Sequence, residues 1–202
     1  MIKRALRSGL RLSGVELQGA LESALPPGKI KNRVNIVLTG FMATGKTVVG
    51  RTLARHFSMK YIDTDSEIEK EAGCTIPEIF NTKGESWFRD IENRIVRRVA
   101  HLDGHVVATG GGVVLREENM KVLEKNGVII CLTASPEVIL KRASRVETRP
   151  LLQVEDPMAR IKELLEIRRP YYQRCHLMVD TSDKSVKEVV RKIVSFVNRK
   201  RQ

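Results

Sequence analysis

Aromatic residues make up 4% of this 202-residue chain, and no cluster of them offers a platform on which nucleic-acid bases stack. Cysteine is scarce as well: Cys74, Cys131 and Cys175 lie far apart, without a Cys-x-x-Cys pair or an even count. That spacing argues against a disulfide framework and for a reducing compartment, which we read as cytoplasmic. No run approaches the ~18 apolar residues of a membrane span, so no membrane partner is expected. Residues 1–33 lack the continuous apolar core of a secretory signal. No internal repeat or low-complexity tract interrupts the chain.

Positive charge is in surplus. The net charge is +12, of which residues 1–33 hold +5 and Arg199-Lys200-Arg201 holds +3. Residues 34–198 carry 26 basic and 22 acidic side chains, a surplus of +4. Terminal charge of this kind is usually solvated, and a small basic excess suits a body that cradles polyphosphate. We therefore expect no nucleic-acid partner. Residues 1–33 read as a basic, flexible N-terminal extension, in which Leu17, Ala20, Leu21, Ala24 and Leu25 permit a short amphipathic helix before Pro26-Pro27-Gly28. A domain of residues 34–202 follows.

That domain opens with "GFMATGKT", residues 40–47. Gly40, four residues, then Gly45-Lys46-Thr47 match the P-loop, whose backbone N–H groups wrap phosphate, whose lysine reaches the β- and γ-phosphates and whose hydroxyl ligates Mg²⁺. The apolar run Val34–Thr39 before it suits a buried parallel strand. Val48, Val49, Leu53, Ala54 and Phe57 behind it keep helical spacing. Phosphate would therefore meet a helix N-terminus.

Short apolar runs at Val34–Thr39, Lys60–Ile62, His105–Thr109, Gly127–Leu132 and His176–Val179 alternate with helical stretches. Thr75-Ile76-Pro77-Glu78 forms a capping box, and Ser135-Pro136 supplies an N-cap with proline at N1. Val186, Val189, Val190, Ile193, Val194 and Val197 line one helix face. Five strands alternating with helices predict right-handed crossovers and a parallel sheet covered on both sides. Ligands on such sheets bind beyond the carboxyl ends of the strands.

Residues at those ends are the candidates. Asp63-Thr64-Asp65 follows the second strand: one carboxylate suits Mg²⁺ and the other a substrate hydroxyl, while a plain helix N-cap at Asp65 is the competing reading. Gly110-Gly111-Gly112 follows the third, either facing a ligand or forming an ordinary loop. That strand ends without the aspartate that many P-loop proteins use for Mg²⁺, which favours Asp63. Arg89 and Glu92, at i and i+3, fit a surface helix pair. Arg149 follows a polar stretch, Ser144 to Thr148, that suits a mobile segment. Arg168 lies near the end of another helix. Converging arginines would grip a planar carboxylate or phosphate.

P-loop, Asp-x-Asp, Phe-Arg-x-x-Glu, Gly-Gly-Gly, Arg-Pro-Leu-Leu and Arg-x-Pro-x-Tyr occur in that order. Over residues 34–198 the chain resembles shikimate kinase. The resemblance implies an α/β, three-layer P-loop kinase fold, with a five-stranded parallel sheet flanked by helices and a mobile lid. It implies transfer of the γ-phosphate of ATP to the 3-hydroxyl of shikimate, with Mg²⁺, by a monomer. Lys46, Asp65 and Arg149 would be catalytic. Gly40, Ala43, Thr44, Gly45, Lys46, Thr47 and Val48 would hold ATP, with Arg149 closing over it and Arg142 packing on adenine. Asp65, Arg89, Gly111, Gly112 and Arg168 would bind shikimate. Thr47 and Asp63 would face the metal. A P-loop kinase for another metabolite, such as gluconate or a nucleotide, is the rival enzyme. A nucleotide-dependent nucleic-acid-binding protein is the rival of another class.

Overall fold

The computed structural model describes residues 34–144 and 154–200. The expected extension over residues 1–33 and the lid segment with Arg149 lie outside the described residues.

Five parallel strands form one sheet in the order β2-β3-β1-β4-β5. They are β1 (Asn35–Thr39), β2 (Lys60–Asp63), β3 (His105–Ala108), β4 (Gly127–Thr133) and β5 (Leu177–Asp180). Each end falls within one residue of its expected place. His176 stays outside β5 for a specific reason: its backbone N–H donates to the Ile129 carbonyl, while its Nδ1 accepts from the Ile129 N–H. The imidazole thus stands in for the next strand carbonyl.

The helices are α1 (Lys46–His56), α2 (Thr64–Ala72), α3 (Ile76–Ala100), α4 (Glu117–Lys125), α5 (Pro136–Ala143), α6 (Pro157–Tyr172) and α7 (Val186–Arg199). Local chemistry sets several boundaries. The Thr75–Glu78 capping box opens α3, Ser135 caps α5, and a second capping box, Ser185 with Glu188, opens α7. Each satisfies N–H groups that a helix start leaves orphaned. Inside α3, Gly84 is non-helical (φ 79°, ψ 172°), so the segment beginning at Glu85 is a fresh helical start.

Strand side chains alternate between two cores, as the period of two requires. Ile36, Leu38, Val106, Ile130 and Leu132 pack on one face against Val49 and Leu53 of α1 and Val189, Val190 and Ile193 of α7. Val37, Val107, Ile129 and Cys131 pack on the other against Ile91 and Ile95 of α3, Met120 and Leu123 of α4, Ile139 of α5 and Ile161 of α6. That is the expected three-layer sandwich. Among the described residues no helix is long and apolar enough to cross a membrane.

Ile193 is fully buried between α7 and the sheet. Ile193→Ala should lower the free energy of unfolding by about 3 kcal/mol in a urea titration. A loss below about 1 kcal/mol would contradict this packing.

Candidate active site

The five strands deliver their carboxyl ends to one edge, and the P-loop begins there. Gly40 has φ 129°, and a methyl on it would run into the Leu132 carbonyl oxygen. Gly45, at φ 95°, is the N-cap of α1 and brings no side chain to cap it. Those two backbone conformations favour glycine, and the first-turn N–H groups of α1 are left to an anion. Ala43 also takes a left-handed φ of 58°, and buried Thr44 donates through Oγ1 to the Phe41 carbonyl, 2.8 Å away. Lys46 Nζ donates to the carbonyls of Gly40 and Phe41, each at 2.8 Å, so the ammonium sits against the loop. Val48 follows in the first turn, and its side chain is exposed.

β2 ends beside this loop. Asp63 Oδ2 lies 3.5 Å from Thr47 Oγ1 and accepts from the Tyr61 hydroxyl at 3.0 Å, while Oδ1 accepts from the Asp65 N–H at 3.2 Å. The helix cap is therefore Asp63, which corrects the cap reading of Asp65: the turn begins two residues earlier than expected. Thr47 and Asp63 place two hard oxygen donors side by side, a fit for a small divalent cation that also takes phosphate oxygens. Asp65, freed from capping, is half-buried, and its carboxyl is pushed up from 3.8 to about 7. Burial is the main cause; the charges of Asp63, Glu92 and Glu69 add to it and Lys46 opposes it.

The glycine triplet meets the rest of the site. None of its three residues has a positive φ, so here the demand is for space. A methyl at Gly110 would lie 2.5 Å from Asp65 Oδ1 and 3.2 Å from Glu92 Oε1. One at Gly111 would sit between the P-loop (Gly40 carbonyl, 3.6 Å) and Arg168 Nη1 (3.7 Å). One at Gly112 would strike Arg89 Nη1 at 2.5 Å. The missing side chains at Gly110 and Gly112 let Asp65 and Arg89 come up to the triplet, and Arg168 stands at ordinary contact distance from Gly111, so the three share one wall.

Arg89 and Glu92 are not the surface pair expected. Arg89 Nη1 donates to Glu92 Oε2 at 2.8 Å, and the Glu92 side chain is 1% exposed because α3 turns it under the triplet. Burial pushes Glu92 up from the ordinary carboxylate range, against the pull of Arg89, Arg116 and Arg168. Its Oε1 is the buried side-chain oxygen without a hydrogen-bond partner among the described residues. Arg168 is itself buried, with its guanidinium carbon 5.6 Å from the Phe41 ring centre. One helical turn on, the Tyr172 hydroxyl donates to the Gly111 carbonyl at 2.9 Å.

Arg142 lies across the P-loop. Its Nη1 donates to the Ala43 carbonyl (3.4 Å) and Thr181 Oγ1 (3.0 Å), and its Nη2 to the Thr181 carbonyl (2.8 Å). Thr181 Oγ1 also lies 3.1 Å from the Thr44 carbonyl. Sequence reasoning missed Thr181, although it directly follows β5 and the strand-end rule points to it. Glu92 was noticed, but its burial was not.

A family model described as shikimate kinase matches residues 42–198. The chain belongs to the shikimate kinase family. A shikimate kinase of Caldanaerobacter subterraneus subsp. tengcongensis is 51% identical over 160 residues, covering 79% of this chain and 94% of that protein. One from Thermodesulfovibrio yellowstonii is 50% identical over 165 residues, covering 82% and 95%. Among solved structures, shikimate kinase from Acinetobacter baumannii in complex with shikimate superposes with a TM-score of 0.79 at 36% identity, covering 90% of this chain and 97% of that one. A gluconokinase from Sinorhizobium meliloti, at TM-score 0.55 and 20% identity over 83% of this chain and 93% of that one, shares the fold alone. The shikimate kinase match takes in the described site residues from Ala43 to Thr181, while Gly40 and Phe41 stand just before it.

The raised Asp65 carboxyl has a consequence for stability. Between pH about 4 and about 7 the folded chain binds that proton more tightly than the unfolded chain, so stability falls as pH rises through the window. Asp65→Asn should therefore be more stable than the parent at pH 8, by about 1–2 kcal/mol. The difference should shrink toward pH 4. Urea titrations at both pH values check it; a variant less stable at pH 8 would contradict the buried-carboxylate account.

Proposed function

We propose that this chain transfers the γ-phosphoryl group of ATP to the 3-hydroxyl of shikimate, giving shikimate 3-phosphate and ADP. The observation that carries the proposal is the glycine triplet, which brings a carboxylate with its pKa near neutrality and two guanidinium groups to the wall facing the P-loop. A small hydroxylated carboxylic acid asks for that combination; a nucleotide base or a neutral sugar does not.

In this reading Gly40, Ala43, Thr44, Gly45, Lys46, Thr47 and Val48 cradle the polyphosphate, and Arg142 packs against adenine from its place over Ala43. Thr47 and Asp63 would hold Mg²⁺, which when bound neutralises phosphate charge. Arg89 and Arg168 clamp the substrate carboxylate, with backbone at Gly111 and Gly112 beside it. Asp65 holds the attacking hydroxyl and takes its proton as the new O–P bond forms and the bond from the γ-phosphorus to the β-phosphate oxygen breaks. A carboxyl with a pKa of about 7 is well matched to that exchange at neutral pH. Arg149 would bring a further positive charge to the transferring group, and closure of its segment would exclude water as a competing acceptor.

In this reading the chain acts as a monomer. The free thiols of Cys74, Cys131 and Cys175 suit the reducing cytoplasm.

A coupled ADP-release assay with ATP and Mg²⁺ tests the proposal by comparing shikimate, gluconate and no added acceptor. We expect release with shikimate to exceed both others by at least about 10³-fold. Equal release with gluconate, or release indifferent to any acceptor, would overturn it.

A further inference from the structure

Arg89 has three edges to its guanidinium, and each meets something different. Nη1 is taken by Glu92 Oε2 at 2.8 Å, and Glu92, 1% exposed, is fixed by its burial. The outer edge between Nη1 and Nη2 butts against the glycine triplet: a methyl at Gly112 would lie 2.5 Å from Nη1, 2.9 Å from Nη2 and 3.0 Å from Cζ. The remaining edge, Nε with Nη2, is the fork that a planar carboxylate arriving from solvent is able to take. That fork is in use. Glu85 Oε1 accepts from Nε at 3.3 Å and from Nη2 at 3.1 Å.

We propose that Glu85 is an internal competitor for the substrate carboxylate: it occupies the Nε/Nη2 fork of Arg89 and is displaced when the substrate binds. The inference rests on Arg89 acting as a carboxylate clamp, as proposed above. Three observations make Glu85, and not Glu92, the exchangeable partner. Its side chain is 68% exposed, so it returns to water without a desolvation penalty. It contacts the fork through one oxygen, whereas a substrate carboxylate brings two. It also directly follows the non-helical Gly84, at the start of the helical segment that carries Arg89. A carboxylate there is stabilised by the first-turn N–H groups even after it leaves the arginine.

The device has a purpose in physical terms. A half-buried guanidinium, 17% exposed, between one buried carboxylate and a glycine wall would otherwise face solvent with an unfilled fork. Glu85 keeps the fork aligned before the substrate arrives, and it lowers affinity for every carboxylate by the same factor. Removing its charge should therefore tighten binding, the opposite of what loss of a supporting residue would do.

The test is a two-by-two set: parent, Glu85→Gln, Arg89→Lys and the double variant, each measured for shikimate Kd by titration calorimetry and for shikimate and ATP KM. For Glu85→Gln we expect shikimate Kd and KM to fall about three-fold, the size of an exposed i, i+4 pair with an arginine. ATP KM should stay within the error of the parent. Arg89→Lys should raise shikimate Kd at least ten-fold, and on that background Glu85→Gln should have no effect. Weaker or unchanged shikimate binding in Glu85→Gln, with Arg89→Lys still damaging, overturns the competitor and leaves the clamp standing. Arg89→Lys binding shikimate as the parent does overturns the clamp itself, and the competitor with it.

Discussion

Glu92 is a buried carboxylate that the fold has surrounded with arginines, and the proposed acceptor side of the site is arranged around it. Removing such a charge from water is unfavourable unless partners compensate. Arg89 does so directly, while Arg116 and Arg168 contribute through their fields. The same requirement points Arg89 and Arg168 inward, where a helix arginine ordinarily spreads into solvent. Once Glu92 has drawn them in, two guanidinium groups line the wall opposite the P-loop. The compensation is incomplete, since Glu92 Oε1 lacks a hydrogen-bond partner. That unmet demand lies beside Asp65, and it helps explain why the Asp65 carboxyl is pushed toward neutrality.

Glycine supplies the second constraint, in two different ways. At Gly40 and Gly45 the backbone adopts conformations that side chains resist, as in loops whose N–H groups wrap an anion. At Gly110 and Gly112 the conformations are ordinary and the space is not. A Cβ at Gly110 would meet a pair of carboxylates and one at Gly112 would meet Arg89, while Gly111 brings bare backbone to ordinary contact distance from Arg168 and the P-loop. On the proposed reading, the donor half and the acceptor half of the reaction meet across backbone, with little side chain between them. That close approach suits a transfer whose catalysis is mainly positioning and electrostatics.

The layers of this fold were legible because they rest on local rules. Alternation in the strands, the apolar stripe of α7 and the capping boxes are each written within a few residues, and β1 to β5 fall where those patterns put them. The P-loop was legible for the same reason. What escaped the sequence depends on which elements pack together. Arg89 and Glu92 at i and i+3 look like an exposed pair until α3 is laid under the glycine triplet. Asp63, not Asp65, caps α2 because the helix starts directly where β2 ends, and the Asp63 carboxylate accepts from the Asp65 N–H. Thr181 becomes a ligand of Arg142 because β4 and β5 end together and bring α5 across the P-loop. In each case the residue types were visible and the third dimension decided their use.

The central claim is that buried charge at Glu92 organises the acceptor side. Calorimetric titration of shikimate and of ATP into Glu92→Gln, with circular dichroism confirming the fold, tests it most directly. Glutamine keeps the shape and removes the charge that Arg89 pairs with and whose field Arg168 shares. The account predicts shikimate affinity weakened at least ten-fold, with ATP affinity unchanged. Shikimate binding equal to that of the parent, in a folded variant, would contradict it.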